Sequence, residues 1–148
     1  MRKVENTINI NVKPEKIFTA FLDPKMLRDW WGVEKTLIEA RAGGNYALAW
    51  GVSENGFGYV TTGRFETFEQ NKALKISNFL YFNPKMEIIG PTCLSIKVTD
   101  QGETPALTVC QSGYLYGKQW DWYYDAVFEA WPAVLRHLKT YLEKITRK

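Results

Sequence analysis

The run from Trp120 to Lys148 constrains the rest of the chain, because it reads as one long amphipathic helix that needs a surface to cover. Its apolar residues Tyr124, Val127, Trp131, Val134, Leu138, Tyr141 and Ile145 step by three and four, and Phe128, Leu135 and Leu142 widen the stripe. That period gives a helix with one buried face. Asp125, Glu129, Arg136, Lys139, Glu143 and Lys144 fall on the other face, and Arg147 and Lys148 close the carboxyl end, where the helix dipole favours cations. Pro132 removes one backbone hydrogen bond and costs about 3 kcal/mol in an ordinary helix interior. The stripe resumes in phase beyond it, so the expectation is a kink rather than an end.

The surface to be covered lies upstream. Val4 to Val12 alternates, with Val4, Asn6, Ile8 and Ile10 on one side, as an edge strand does. Pro14 opens a short helix with Ile17, Phe18, Phe21 and Leu22 on its buried face. A second helix spans Pro24 to Trp30, with Asp23 as its cap and Gly32 after Trp31 to leave it. From Lys35 onward the pattern is a meander of six strands: 35–41, 46–51, 59–69, 73–81, 92–99 and 107–115. Turn signals separate them at Gly43-Gly44, Asn55-Gly56, Asn71-Lys72, Asn83-Pro84, Gly90-Pro91 and Asp100-Gln101-Gly102. Strands in such a row pair antiparallel. The fold class is therefore α+β: a curved seven-stranded antiparallel sheet, two short helices after the first strand, and a long C-terminal helix across the concave face. A length of 148 residues suits a single domain, 1–148.

A two-residue turn at Gln101-Gly102 sets a register for the last hairpin, in which Leu94 pairs with Val109 and Ile96 with Leu107 on one face. Ser95 then opposes Thr108, and Cys93 opposes Cys110, on the other. Both cysteines are expected as thiols, away from the long helix.

Composition removes several functions. The net charge of +3 is spread along the chain without a basic block, which argues against nucleic acid. No run approaches the roughly 20 apolar residues of a membrane helix, and Met1 to Asn6 lacks a signal-peptide core, so no membrane association and a cytoplasmic location are expected. Two cysteines and one histidine lack zinc spacing, and neither a metal nor a cofactor is expected.

The pieces Pro14-Glu15-Lys16-Ile17-Phe18, Leu22-Asp23-Pro24, Leu27, Trp30-Trp31, Arg41-Ala42-Gly43-Gly44-Asn45-Tyr46, Gly63-Arg64-Phe65 and Lys72-Ala73-Leu74, then Trp131 followed by Leu135, Leu138 and Leu142, occur in an order that resembles the SRPBCC or START-like superfamily. Within it the sequence is similar to the AHSA-type group, named after activators of heat-shock chaperone ATPases. The resemblance implies a helix-grip fold with a cavity between sheet and long helix, which relatives use for apolar molecules. The family often carries His where this chain has Gln111, and Gly where it has Ala130.

Three functions fit this reading. The first is a binding protein for an apolar, ring-containing small molecule, the second an enzyme acting on a hydrophobic substrate in the same cavity, and the third a co-chaperone-like interaction module. The expected partner is thus an apolar small molecule or, on the third reading, a protein, with the chain a monomer or dimer. Aromatic enrichment carries the first, because Tyr and Trp combine wide apolar contact with a polar tip. The candidate lining residues are Trp120, Tyr123, Tyr124, Val127 and Trp131 on the helix, Trp30 and Trp31 at the end of the second helix, and Phe65, Asn78, Val109 and Gln111 by strand parity. Adjacent Trp30 and Trp31 cannot both face inward, so one is core and the other lining or exposed. The helix is expected to divide at Trp131, with Leu135, Leu138 and Leu142 in dry core and Tyr124, Val127 and Trp120 or Tyr123 along the hollow. The interaction reading instead exposes Trp30, Trp31, Trp120 and Trp122 as a patch. Catalytic residues are not identifiable: His137 lies off the stripe, and nothing selects among Glu39, Glu66 and Glu69.

Overall fold

The computed structural model describes residues 2–100 and 102–146. In chain order the elements are β1 (Lys3–Asn9), α1 (Pro14–Thr19), α2 (Pro24–Trp31), β2 (Lys35–Ile38), β3 (Asn45–Trp50), β4 (Tyr59–Glu69), β5 (Ala73–Phe82), β6 (Ile89–Thr99), β7 (Ala106–Ser112) and α3 (Lys118–Thr146). The strands form one antiparallel sheet in the order β1-β7-β6-β5-β4-β3-β2. β1 and β2 are therefore the two edges, and α1 and α2 carry the chain from one edge to the other. This is the α+β helix-grip architecture expected from the sequence.

Pro14 and Pro24 each stand in the first turn of their helix, where a missing N–H costs nothing. Asp23 occupies the N-cap of α2, but its side chain makes no capping hydrogen bond, so the expected cap is positional only. At the other end Gly32 adopts φ 72°, its N–H donates to the Arg28 carbonyl at 3.1 Å, and the Val33 N–H donates to Leu27 at 3.3 Å.

The last hairpin departs from the expected register by two residues. Leu94 opposes Gln111, Ile96 opposes Val109, Ser95 opposes Cys110, and Cys93 opposes Ser112. The ladder stops at Thr99↔Ala106, so the connection is six residues rather than two; Gln101 itself lies outside the described residues. Proline explains the difference. The shorter turn would have placed Pro105 opposite Val98 inside β7, which is bonded on both sides, and proline has no N–H to give there. Side-chain parity survives a shift of two, so Leu94, Ile96, Leu107 and Val109 are still buried, while the two free cysteines are not opposite each other.

Bulges bend the sheet on the strands β4, β5 and β6. In β5 the pairs Ile76↔Leu94 and Phe79↔Thr92 are out of step by one residue, and Asn78 takes φ 50° there. The expected inward series Leu74, Ile76, Asn78 therefore becomes Leu74, Ile76, Phe79, Tyr81, and Asn78 is exposed. In β6 the step between Phe79↔Thr92 and Tyr81↔Ile89 absorbs Gly90 and Pro91, which lie inside the strand and not in a turn. Gly63 faces the first bulge. A Cβ there would stand 2.4 Å from Ile76 Cγ2 and 3.0 Å from the Ser77 carbonyl, so only glycine lets the bulged strand approach.

α3 runs through Pro132 without ending; Arg147 and Lys148, expected to finish it, lie outside the described residues. Its buried line is Tyr123, Trp131, Leu135, Leu138 and Leu142. Phe128, assigned above to the buried stripe, is 57 % exposed, and Tyr123 rather than Tyr124 is the buried member of its pair. Tyr124 turns aside to meet Tyr114 edge-on at 5.1 Å and to lie under the Arg2 guanidinium at 4.7 Å. Lys139 and Glu143 are partly buried because they tie α3 to the end of β1: Lys139 Nζ donates to the Asn9 carbonyl at 2.7 Å, and the Asn11 N–H donates to Glu143 Oε2 at 2.9 Å.

Candidate ligand cavity

Leu135, Leu138 and Leu142 seal the carboxyl half of α3 onto the sheet, and the amino half stands off. Between that half and the bulged strands lies a cavity of about 230 Å³. Twelve residues line it, seven of them aromatic, and none carries a carboxylate, imidazole, amine, guanidinium or thiol. Tyr123, Val127, Ala130, Trp131 and Val134 come from α3, Trp31 from the end of α2, and the rest from the sheet.

The rings hold one another in place. Trp30 is core, donating its indole N–H to the Ala20 carbonyl at 2.9 Å, and Trp31 stacks on it with centroids 5.0 Å apart. Trp31 also meets Trp50 edge-on at 5.3 Å and Trp131 at 5.5 Å. Trp50 is fixed by a hydrogen bond from its indole to the Trp31 carbonyl at 3.0 Å and stacks on Tyr59, its cross-strand partner, at 4.9 Å. Tyr81 meets Tyr123 at 5.1 Å. Mutual edge and stacked contacts of this kind each contribute roughly 0.5–1.5 kcal/mol beyond area burial, so the walls are preformed.

Gln111, only 2 % exposed, organises the polar side. Its Nε2 donates to Thr92 Oγ1 at 3.1 Å and to Tyr123 Oη at 3.0 Å, while its Oε1 accepts from Trp131 Nε1 at 3.3 Å. Thr92 in turn donates to the Phe79 carbonyl at 3.3 Å. Burial pushes the Tyr123 phenol up to about 12 despite the hydrogen bond from Gln111, so it stays protonated at neutral pH. Thr61 is the exception. It lines the same cavity from β4, and its buried hydroxyl has no partner among the described residues.

Of the residues singled out from the sequence, Trp31, Gln111, Tyr123, Val127 and Trp131 line this cavity. Trp30 and Val109 are core, and Phe65 packs edge-on with Tyr46 at 5.4 Å and Phe68 at 5.3 Å. Asn78 is carried outward by the bulge. Trp120 and Tyr124 belong to a separate cluster around Tyr114 and Arg2. Trp50, Tyr59, Thr61, Phe79, Tyr81, Ala130 and Val134 were missed. Thr61 was within reach of the parity argument, two residues before Gly63 and four before Phe65, and an asparagine inside a strand was the available sign of the bulge that turns Phe79 and Tyr81 inward.

Elsewhere the candidate acids and bases have ordinary duties. Glu39 is held below the usual carboxylate range by hydrogen bonds from the Asn45 backbone and side-chain amides and by Arg41, which bind the β2–β3 turn. Glu66 pairs with Lys75 at 3.1 Å, Glu69 is exposed, and His137 borders a surface groove between α2 and α3. The expected tryptophan patch does not assemble: Trp30 is buried, Trp31 and Trp120 are partly buried, and Trp122 is 47 % exposed. A wider open groove of about 430 Å³, with Phe57, Phe82 and Ile88 among its lining residues, lies beside Tyr59 but contains no buried polar group.

Residues 11–143 match the profile of the family described as Activator of Hsp90 ATPase homolog 1-like protein. A comparison with curated protein sequences finds no match. Among solved structures, protein MLL2253 from Mesorhizobium loti is similar with a TM-score of 0.75 at 19% identity, covering 97% of this chain and 98% of that one. The Aha1 dimer from Colwellia psychrerythraea gives 0.70 at 16% identity with 94% of each chain covered. The AHSA1 protein from Silicibacter pomeroyi gives 0.71 at 18%, covering 96% of this chain and 98% of that one. At such identities these structures speak for the fold.

Proposed function

This chain belongs to the Activator of Hsp90 ATPase homolog 1-like family, and we propose that it binds a small, apolar, ring-containing molecule in the cavity between its sheet and α3. The observation that carries this reading is a space walled by seven aromatic side chains with no charged group among its lining residues, which shares only the half-exposed Tyr59 with the neighbouring open groove. Pockets for small molecules have this makeup, with wide apolar walls and a few placed polar groups. An enzyme using the same cavity would need an acid, base or nucleophile in it, and among the described residues that line it there is none beyond hydroxyls. We place the protein in the cytoplasm, a reading supported by two free thiols; no described helix is long and apolar enough to cross a membrane.

A second reading, a co-chaperone-like module, has two supports: the family's description and the exposure of Trp122, Phe57 and Ile88. One titration separates the two. With indole as probe, the six tryptophan side-chain N–H resonances are followed by NMR. The cavity reading predicts saturable shifts at Trp31, Trp50 and Trp131, with Trp120 and Trp122 unmoved. Shifts that grow linearly without saturation, or that centre on Trp122, would remove it.

A further inference from the structure

Of the buried polar side chains that line the cavity, Gln111 is hydrogen-bonded and Thr61, among the described residues, is not; the hydroxyls of Tyr59, 41 % exposed, and of Tyr81, which accepts from Asn83 Nδ2 at 3.2 Å, line it as well. Both N–H groups of the Gln111 amide are used, on Thr92 and Tyr123, and its carbonyl accepts from Trp131. Thr92 Oγ1 donates to the Phe79 carbonyl. Thr61 is 9 % exposed and its buried Oγ1 has no partner among the described residues, although a buried hydroxyl is ordinarily paired because leaving it unpaired is costly. It therefore offers one hydrogen bond, as donor or acceptor, from the sheet side of a space walled mostly by rings and aliphatic side chains.

Resting on the reading of the preceding section, we infer that the ligand is an uncharged compound of about two rings bearing a hydroxyl or carbonyl oxygen, and that Thr61 Oγ1 selects that oxygen. Three features set the class. An apolar cavity of about 150 Å³ takes benzene, so about 230 Å³ has room for a second small ring. No charged side chain lines the space, so a carboxylate or ammonium group would lose its hydration with nothing to replace it. The buried hydroxyl of Thr61, unpaired among the described residues, discriminates by hydrogen bonding, which separates ligands more sharply than an added methylene does.

The test uses naphthalene, 2-naphthol and 2-naphthoate, titrated by NMR into the whole protein and its Thr61→Val variant. Valine keeps the shape and removes a hydroxyl that has no protein partner, so the variant should fold with a Tm equal to or above the parent's. The expected result is that Thr61→Val weakens 2-naphthol about five- to tenfold, the worth of one buried hydrogen bond, and leaves naphthalene unchanged. Thr61→Ser should restore the preference, and 2-naphthoate should bind at least about tenfold more weakly than 2-naphthol. Equal effects of Thr61→Val on naphthol and naphthalene, or naphthoate binding as tightly as naphthol, would overturn the inference and leave the cavity reading standing. Absence of saturable binding by all three would overturn both.

Discussion

Trp131→Ala should lower the stability of the protein by about 3–5 kcal/mol in equilibrium urea denaturation, the range for deleting a buried large aromatic side chain. The size of the effect follows from position. Trp131 sits where α3 passes from sealed core to standing-off cavity wall; it packs against Trp31 at 5.5 Å and supplies the donor that Gln111 Oε1 accepts. Its removal merges a new void with the existing one and leaves a buried amide oxygen without its partner. Tyr124→Ala is the comparison. Tyr124 lies on the same helix but is half-buried in the Tyr114 and Arg2 cluster, so its loss should cost clearly less and leave the cavity intact. Equal losses in the two variants would contradict the division of α3 at Trp131.

Gln111→Ala should cost roughly 3–5 kcal/mol, an orphaned donor at about 1–3 kcal/mol added to a void of about 2 kcal/mol or more. The donor is the Trp131 indole N–H, whose acceptor among the described residues is Gln111 Oε1. Gln111→Leu keeps most of the volume and isolates the polar part, so it should cost only about 1–3 kcal/mol. The Trp131 indole N–H resonance should move in both variants. If Gln111→Leu is as stable as the parent, the amide is filling space and not organising the cavity.

The helices and the strand order were legible because each rests on a local signal: the three-four stripe of α3, proline in the first turns of α1 and α2, and glycine after Trp31. Inward parity in β7 was legible too, since it depends only on even spacing, which is why Gln111 could be placed inside before its partners were known. What failed was whatever depends on counting across an irregularity. The β6–β7 register went astray because a two-residue turn satisfies the hydrophobic pattern as well as a six-residue one does, and only the missing N–H of Pro105 decides between them. Asn78 was placed inward because a bulge inserts one residue without changing the pattern on either side of it. The cavity's sheet side was mostly missed for the same reason, because Phe79 and Tyr81 reach it through that bulge. Tyr123 and Tyr124 are adjacent on a helix with aromatic residues on more than one face, so periodicity alone could not choose the one that turns inward.

The most direct test of the central claim, that the space between the sheet and the amino half of α3 is a ligand site, is a crystal structure of the protein with 2-naphthol. The predicted result is ring density between Trp31, Trp50 and Trp131, with the naphthol oxygen within hydrogen-bond distance of Thr61 Oγ1. Density confined to the open groove of Phe57, Phe82 and Ile88, or a cavity without ligand at saturating naphthol, would contradict it.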